Sequence, residues 1–316
     1  MSTSGTYSFV ITRDDIIRQA LLNIKRLDED EAPTAAAARD CAFMLNMMVK
    51  QWQGKSDFAP GLKTWTRKTG YLLLSNTAQY LLGPDAQGWT NSFTRCMLTA
   101  GAAAGALSLT VDSTAGSVGS LLAIELDSGQ MQFVNNGVIA SATSITFSTP
   151  LLGTASSGNY AYVYASAAQK PIALETVWLR DAYYSDTPIR VMNVQDYSNL
   201  PNKSDPLNIG DPAAIYWEEG IADGNLYLDV GVAQDISKYL MFKYLEPGQI
   251  FNTATDNPYF PEEWFLALCW GLTEQIAPMF SASWNDKMEQ LKTTALAIAR
   301  NKGAEMSSMY FQPGVE

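Results

Sequence analysis

The chain contains no histidine. That absence removes Ser-His-Asp and Cys-His catalysis together with the zinc and haem sites that depend on imidazole. Carboxylates are the chemistry that remains. Two adjacent pairs, Glu218-Glu219 and Glu262-Glu263, invite comparison with glycoside hydrolases, which need only two carboxyl groups held across a cleft. Neighbouring residues of a strand point to opposite faces, so Glu218 and Glu219 cannot both meet one substrate. Glu262 and Glu263 follow Pro261 at the start of a helical pattern, where the helix dipole favours acids. Asp223-Gly224-Asn225 resembles half a calcium loop, but the ligand spacing fails and the triplet reads as a hairpin turn. Phosphate-loop and dinucleotide motifs are absent. The expectation is no catalysis, no cofactor and no metal.

Three cysteines, Cys41, Cys96 and Cys269, have no metal spacing and leave an odd thiol under any pairing. Cys41 and Cys269 lie within apolar helical patterns, where a small core residue is the expected role. Tyr160, Tyr162 and Tyr164 alternate with Ala161, Val163 and Ala165, the period of a strand with two unlike faces. Such a stripe can serve as a carbohydrate platform, but it more commonly packs against a neighbour or the core.

A chain of 316 residues with 47% hydrophobic content can fill two or three cores. Its formal net charge is −11, from 21 basic and 32 acidic residues. The excess is spread, with no basic patch, which disfavours binding of nucleic acid through its phosphates. The opening MSTSGTYSFV lacks the pattern of a secretory signal, and no apolar run approaches a membrane span. Synthesis and first folding in a reducing cytoplasm are expected.

These residues must be positioned by elements that the periodicity outlines. Thr12 to Asp15 is a capping-box start for a helix with the stripe Ile16, Ile17, Ala20, Leu21, Ile24 and Leu27. Asp28 to Glu31 is a solvated connection, and Pro33-Thr34 opens a second helix carrying Cys41, Met44, Leu45, Met48, Val49 and Trp52 up to Gly54. Near the other end, Trp264, Phe265, Leu268, Leu272 and Ile276 recur at helical spacing until Pro278. Ser283 with Asp286 offers a capping box for a last helix carrying Met288, Leu291, Ala295 and Ile298, with Gly303 as its stop. Neither pair of helices can bury its stripe alone. One helical core is therefore expected from Ile17, Leu21, Met44, Met48, Trp52, Trp264, Leu268, Leu272, Leu291 and Ile298.

Between the ends the period changes to that of strands. LKTWTRKTGYLLL and AQYLLGP read as strands around a turn at Ser75 to Thr77. Residues 89–168 are poor in charge and carry short strands, SLTVD, LLAIEL, QMQFV, SITFS and YAYVYA, as a small all-β sandwich or barrel would. Residues 169–249 add five longer strand patterns around a proline-punctuated loop. The expected fold is α+β: a discontinuous helical domain, 1–60 with 250–316; a β-rich domain, 61–88 with 169–249; and an inserted all-β domain, 89–168.

The pattern TRDDIIRQALLNIKRL…ARDCAFMLNMMVKQWQ resembles the opening helices of head-to-tail adaptor proteins of short-tailed bacteriophages, the head-completion, packaged-DNA-stabilisation or tail accessory factors. EEWFLALCWGLTEQIAPMF and the helix after it are similar to their C-terminal helical segment. Asp196 to Lys203, Gly210-Asp211-Pro212 and Leu226-Tyr227-Leu228 resemble the β-domain of longer members, with Asp229-Val230 where many have Trp-Pro. The resemblance covers the helical ends and 169–249, and leaves 89–168 as a separate insertion.

It implies a structural virion protein at the head-tail interface, made in the host cytoplasm. Such a protein forms a ring of about twelve copies under the portal, extends the DNA channel, helps to retain packaged DNA and seats tail nozzle or hub proteins. DNA passes through without sequence-specific binding, and there is no membrane anchor. The apolar tail Met306, Met309, Tyr310 and Phe311 is then a docking element for the portal or a neighbouring subunit, with folding back on its own domain as the competing outcome. A glycan or peptidoglycan hydrolase, and a tail protein whose β-domain binds a receptor or the capsid, are the alternative functions.

Overall fold

The computed structural model describes residues 8–54, 64–203, 207–233 and 235–302, together with Gly5 and Asp205. Among these residues the fold is mixed α+β. Its helices are α1 (Arg13–Asn23), α2 (Ala35–Trp52), α3 (Val194–Ser198), α4 (Phe265–Ile276) and α5 (Asp286–Lys302). The chain divides into two compact units, Met1–Thr66 with Gly248–Glu316, and Arg67–Pro247.

The helical unit is built around α4. At the start of α1, Thr12 Oγ1 accepts the Asp15 N–H at 3.3 Å while the Asp15 carboxylate accepts the Thr12 N–H at 2.9 Å. These bonds from Thr12 hold the Asp15 carboxyl below the usual range. Thr34 Oγ1 caps α2 through the Ala37 N–H at 3.3 Å. A 3-10 turn, Glu262–Trp264, leads into α4, which ends just before Pro278. α1, α2 and α5 all pack on it. Gly271 sets the approach of α2, since a Cβ there would lie 2.7 Å from the Trp52 ring and 2.9 Å from Met48 Sδ.

Ile17, Leu21, Met48, Leu268 and Leu272 are buried in one core, with Met44 and Trp52 half-buried against it. Trp264 is buried in an adjoining aromatic cluster with Trp52, Trp65 and Phe260. Two expected core residues are not there. Leu291 is 41% exposed and Ile298 57% exposed, because α5 turns its alanine edge inward. Ala295 and Ala299 meet Trp264 and Ala267, while Lys292 Nζ reaches Glu274 at 2.7 Å. The inward edge thus runs 292–295–296–299, which leaves Leu291 and Ile298 roughly 90–110° round the helix. Small side chains allow the closer helix contact, and the larger ones are displaced to the flank. The cap of α5 also differs from expectation: Asn285 Oδ1 accepts the Met288 N–H at 3.0 Å, in place of a Ser283–Asp286 box. Met306, Met309, Tyr310 and Phe311 lie outside the described residues.

The second unit opens with β1 (Arg67–Leu73), β2 (Gln79–Leu82) and β3 (Trp89–Thr90). An excursion follows through β4 (Thr94–Met97), β5 (Ser108–Thr110), β6 (Leu121–Glu125), β7 (Met131–Val134), β8 (Gly137–Ser141), β9 (Ser144–Phe147) and β10 (Tyr160–Tyr164). The chain then returns as β11 (Ala173–Arg180), β12 (Asp186–Met192), β13 (Ile209–Gly210), β14 (Ala214–Glu218), β15 (Gly224–Leu228), β16 (Val232–Ala233) and β17 (Tyr239–Leu245).

The large sheet has the order β2-β15-β14-β12-β11-β17-β1-β3. β1 and β2 flank the expected turn but do not pair with each other. They stand six places apart, which in a flat sheet is about 29 Å, yet the link from Leu73 to Gln79 spans at most about 22 Å. The sheet must therefore curl until it nearly closes, around a core that includes Leu72, Trp89, Ile215, Leu226, Leu240 and Phe242. Trp89 and Thr90 pair with Leu72 and Tyr71, and Ala168 lies in the same core, so the excursion leaves the large sheet after Thr90.

The excursion forms two small sheets, β4-β10-β6-β7 and β5-β9-β8, that share a core of their own. Ala161 and Val163 of β10 face that core. Tyr162 and Tyr164, on the opposite face, pack with Leu73, Ile236 and Tyr239 of the large-sheet region. The tyrosine stripe is a packing surface and not an exposed platform.

Substitution Trp264→Ala removes a side chain that is 2% exposed and is expected to cost about 3–5 kcal/mol of stability. Leu291→Ala should change stability by no more than about 0.5 kcal/mol. Urea unfolding of the two variants measures both, and equal losses would mean that α5 packs in the other register.

Candidate functional site

Of the carboxylates that the sequence singles out, Glu218, Glu219 and Glu262 each have a separate partner. Glu218 accepts the Tyr227 hydroxyl at 3.2 Å, while Glu219 pairs with Lys170 at 3.3 Å. Glu262 Oε1 accepts the Phe9 backbone N–H at 2.9 Å, which makes it an anchor for the segment that precedes α1. Burial pushes the Glu125 carboxyl up, although it accepts the Tyr160 N–H at 3.0 Å. Nothing in the sequence singled out Glu125, because its burial comes from tertiary packing. No group of three His, Cys, Asp or Glu side chains that could hold a metal ion occurs among the described residues.

Three half-buried tyrosines, Tyr197, Tyr216 and Tyr227, form a triangle with ring centroids 5.2–5.7 Å apart, and Lys203 Nζ lies 5.0 Å from the Tyr197 ring. These contacts fasten α3 to the sheet. A cleft of about 430 Å³ includes Arg95, Arg180, Tyr184 and Tyr239 in its walls. Both arginines have internal partners. Arg95 lies over Tyr160 and Tyr184, at 4.6 and 5.4 Å, and donates to the Ala182 carbonyl at 3.0 Å. Arg180 makes a two-pronged pair with Asp186 at 2.6 and 2.7 Å, which raises its own pKa and lowers that of the carboxyl.

A concave surface with exposed apolar side chains lies on the helical unit. A groove of about 530 Å³ runs between the segment before α1 and the first turns of α4. Its wall is Phe9, Val10 and Leu266, which are 62%, 63% and 57% exposed. Ile11, Ile16 and Cys269 lie deeper, with Arg18 at the edge. The segment is held in place by the Phe9–Glu262 bond, by Phe9 packing at 6.1 Å on Phe265, and by Arg13 N–H donating to the Asp256 carbonyl at 2.8 Å. The Asp256 carboxylate in turn accepts the Asn252 and Thr253 N–H groups at 2.6 and 2.7 Å, and bonds to Thr253 and Asn252 lower its pKa.

Sequence reasoning passed over this groove. The signal was present as a hydrophobic staple: Ile11 just before the Thr12 cap and Ile16 in the first turn after it, with Phe9 and Val10 extending the apolar run.

The described helices include none long and apolar enough to cross a membrane. All three cysteines are buried. Burial, with the nearby charges of Asp40 and Asp15 respectively, pushes the thiols of Cys41 and Cys269 up to about 11. Little thiolate exists at pH 8, so a thiol reagent should label none of the three in the native chain and all three in denaturant. Fast native labelling would place a cysteine outside the cores. In comparisons with known proteins, no family model matches the chain and no curated relative is found.

Proposed function

We propose that this chain is a structural assembly protein of the head-to-tail adaptor kind: a ring component that docks below a phage portal, extends the DNA channel, helps to retain packaged DNA and seats the tail. The observation that carries this reading is the helical unit. The two helical parts of the chain whose patterns resemble adaptors fold together around α4, and that unit carries a groove with exposed apolar side chains in its wall. The finer arrangement, a discontinuous helical adaptor domain with a β-rich domain and a further all-β domain inserted, belongs to the same proposal. So do the portal partner, the tail partner, the ring of about twelve and the virion location, all of which rest on the resemblance.

Charge supports the channel role. A chain of net charge −11 without a basic cluster repels duplex DNA, so DNA slides past it without sticking. The hydrolase reading lacks two free carboxyls across a cleft, since Glu218, Glu219 and Glu262 each have a separate internal partner. The receptor-binding reading draws no support from the tyrosine stripe, since Tyr162 and Tyr164 are buried and Tyr160 is half-buried.

Native mass spectrometry of the purified chain mixed with its phage's portal ring tests the proposal. About twelve added copies per portal are expected, and deletion of residues 94–164 with a short linker, which keeps Trp89, Thr90 and Ala168 in the large-sheet core, should spare that binding. Failure of the chain to bind any portal ring, or binding lost by a folded 94–164 deletion, would overturn it.

A further inference from the structure

The cleft bordered by the start of β4, the end of β11 and the turn after it holds a cation without a counter-ion. Arg95 Nη2 donates to the Ala182 carbonyl at 3.0 Å, but Nη1 is buried and has no hydrogen-bond partner among the described residues. Arg180, in the same cleft, is neutralised by Asp186. The Arg95 guanidinium has only the Tyr160 and Tyr184 rings over it, at 4.6 and 5.4 Å. A buried donor and a half-buried charge both call for a partner. Tyr184 is held there by an unusual backbone. Asp181 Oδ1 accepts the N–H groups of Tyr183 and Ser185 at 2.8 and 2.9 Å, and Tyr184 takes φ +65°, the left-handed region where glycine or asparagine is usual. Tyr184 is 67% exposed, so burial does not account for an aromatic ring at this strained position.

At about 430 Å³ the cleft suits a small molecule. One unpaired cation with Asp181 and Asp186 close by favours a ligand with a single negative charge over a doubly charged phosphate. The lining also offers groups for hydroxyls. Asn91 and Ser92 are exposed, and the Tyr244 hydroxyl donates to Asn91 Oδ1 at 2.9 Å, which leaves the Asn91 NH2 group to donate. Burial pushes the Tyr239 hydroxyl up, with Arg180 and Arg95 beside it acting in the other direction. An exposed tyrosine ring, in turn, matches the apolar face of a sugar. We propose that this cleft binds a sugar acid, a hydroxylated ring bearing one carboxylate. The carboxylate takes Arg95 Nη1, and the Tyr184 ring moves from the guanidinium onto the sugar. The site belongs to the β unit alone and does not rest on the adaptor reading.

Calorimetric titration of the full chain with D-glucuronate, D-glucose and inorganic phosphate tests it, with Arg95→Met and Ser92→Trp as variants and Tm measured for each. Glucuronate should bind with a Kd on the order of 1 mM. Glucose, which lacks the carboxylate, should bind at least about tenfold more weakly, and Arg95→Met should weaken glucuronate by a similar factor. Ser92→Trp fills the cleft from an exposed position, so it should leave Tm unchanged and also weaken glucuronate about tenfold. That variant decides the matter if Arg95→Met lowers Tm. Equal affinity for glucose and glucuronate, tighter binding of phosphate than of glucuronate, or full affinity in Ser92→Trp would overturn the proposal. So would the lack of any saturable binding up to about 50 mM glucuronate, which would leave water as the partner of Arg95 Nη1.

Discussion

The helical unit depends on α4 having almost no face that can be left in water. Phe265, Leu268, Cys269, Leu272 and Ile276 are buried in one core with α1 and α2, Gly271 lies against Trp52 and Met48 of α2, and Ala267 lies in a cluster with α5. Each buried apolar side chain contributes roughly 1.5–3 kcal/mol, and no single neighbour covers more than a part of this surface. α4 can therefore be buried only when both ends of the chain come together. The aromatic cluster marks the junction. Trp52 and Trp65 from the N-terminal part lie 6.0 and 5.3 Å from Trp264, and Phe260 lies 5.8 Å from it. Some 180 residues of β-structure are inserted between partners that must meet, which makes the connection at residues 66–67 and 247–248 a consequence of helix burial.

Within the β unit an analogous constraint acts through chain length. The short link between β1 and β2 cannot bridge a flat eight-stranded sheet, so curvature follows from connectivity. Curling gathers Trp89, Phe242 and Tyr244 inside, with ring centroids 5.3 and 5.2 Å from Trp89. Gly70 makes room for them, since a Cβ there would lie 2.1 Å from the Trp89 ring. The excursion from β4 to β10 is joined to this sheet by Tyr71, Phe93, Tyr162 and Tyr239, whose rings meet edge to face at 5.1–5.9 Å. Such contacts each add about 0.5–1.5 kcal/mol beyond area burial.

Much of this was legible in the sequence because amphipathic period survives folding. The stripe from Ile16 to Leu27 and the residues Phe265, Leu268, Leu272 and Ile276 are buried as their spacing indicates, as are Cys41, Leu45, Met48 and Val49 of the second seam, with Met44 half-buried beside them. The stripe of α5 misled for a physical reason: large apolar residues at 291 and 298 outweigh alanines in any hydrophobicity count, yet close helix approach selects Ala295 and Ala299. The Ser75–Thr77 turn was visible, but the distant pairing of its flanking strands was not, since register depends on neighbours far along the chain. The groove was missed because Phe9 and Val10 precede the first helix, where no periodicity applies. Its boundaries come from Glu262 and Phe265, more than 250 residues away.

The functional account joins these features. The helical unit gathers the two helical ends of the chain and carries an apolar groove, while in the β unit Tyr162 and Tyr164 are buried and Arg180 is paired with Asp186. The proposed function places the assembly surface on the helices. Electron cryomicroscopy of the chain bound to its portal ring tests that assignment most directly. The account predicts helical density from α1, α2, α4 and α5 against the portal, with the β unit directed outward or toward the tail. A ring in which the β unit meets the portal and the helices point away would contradict it.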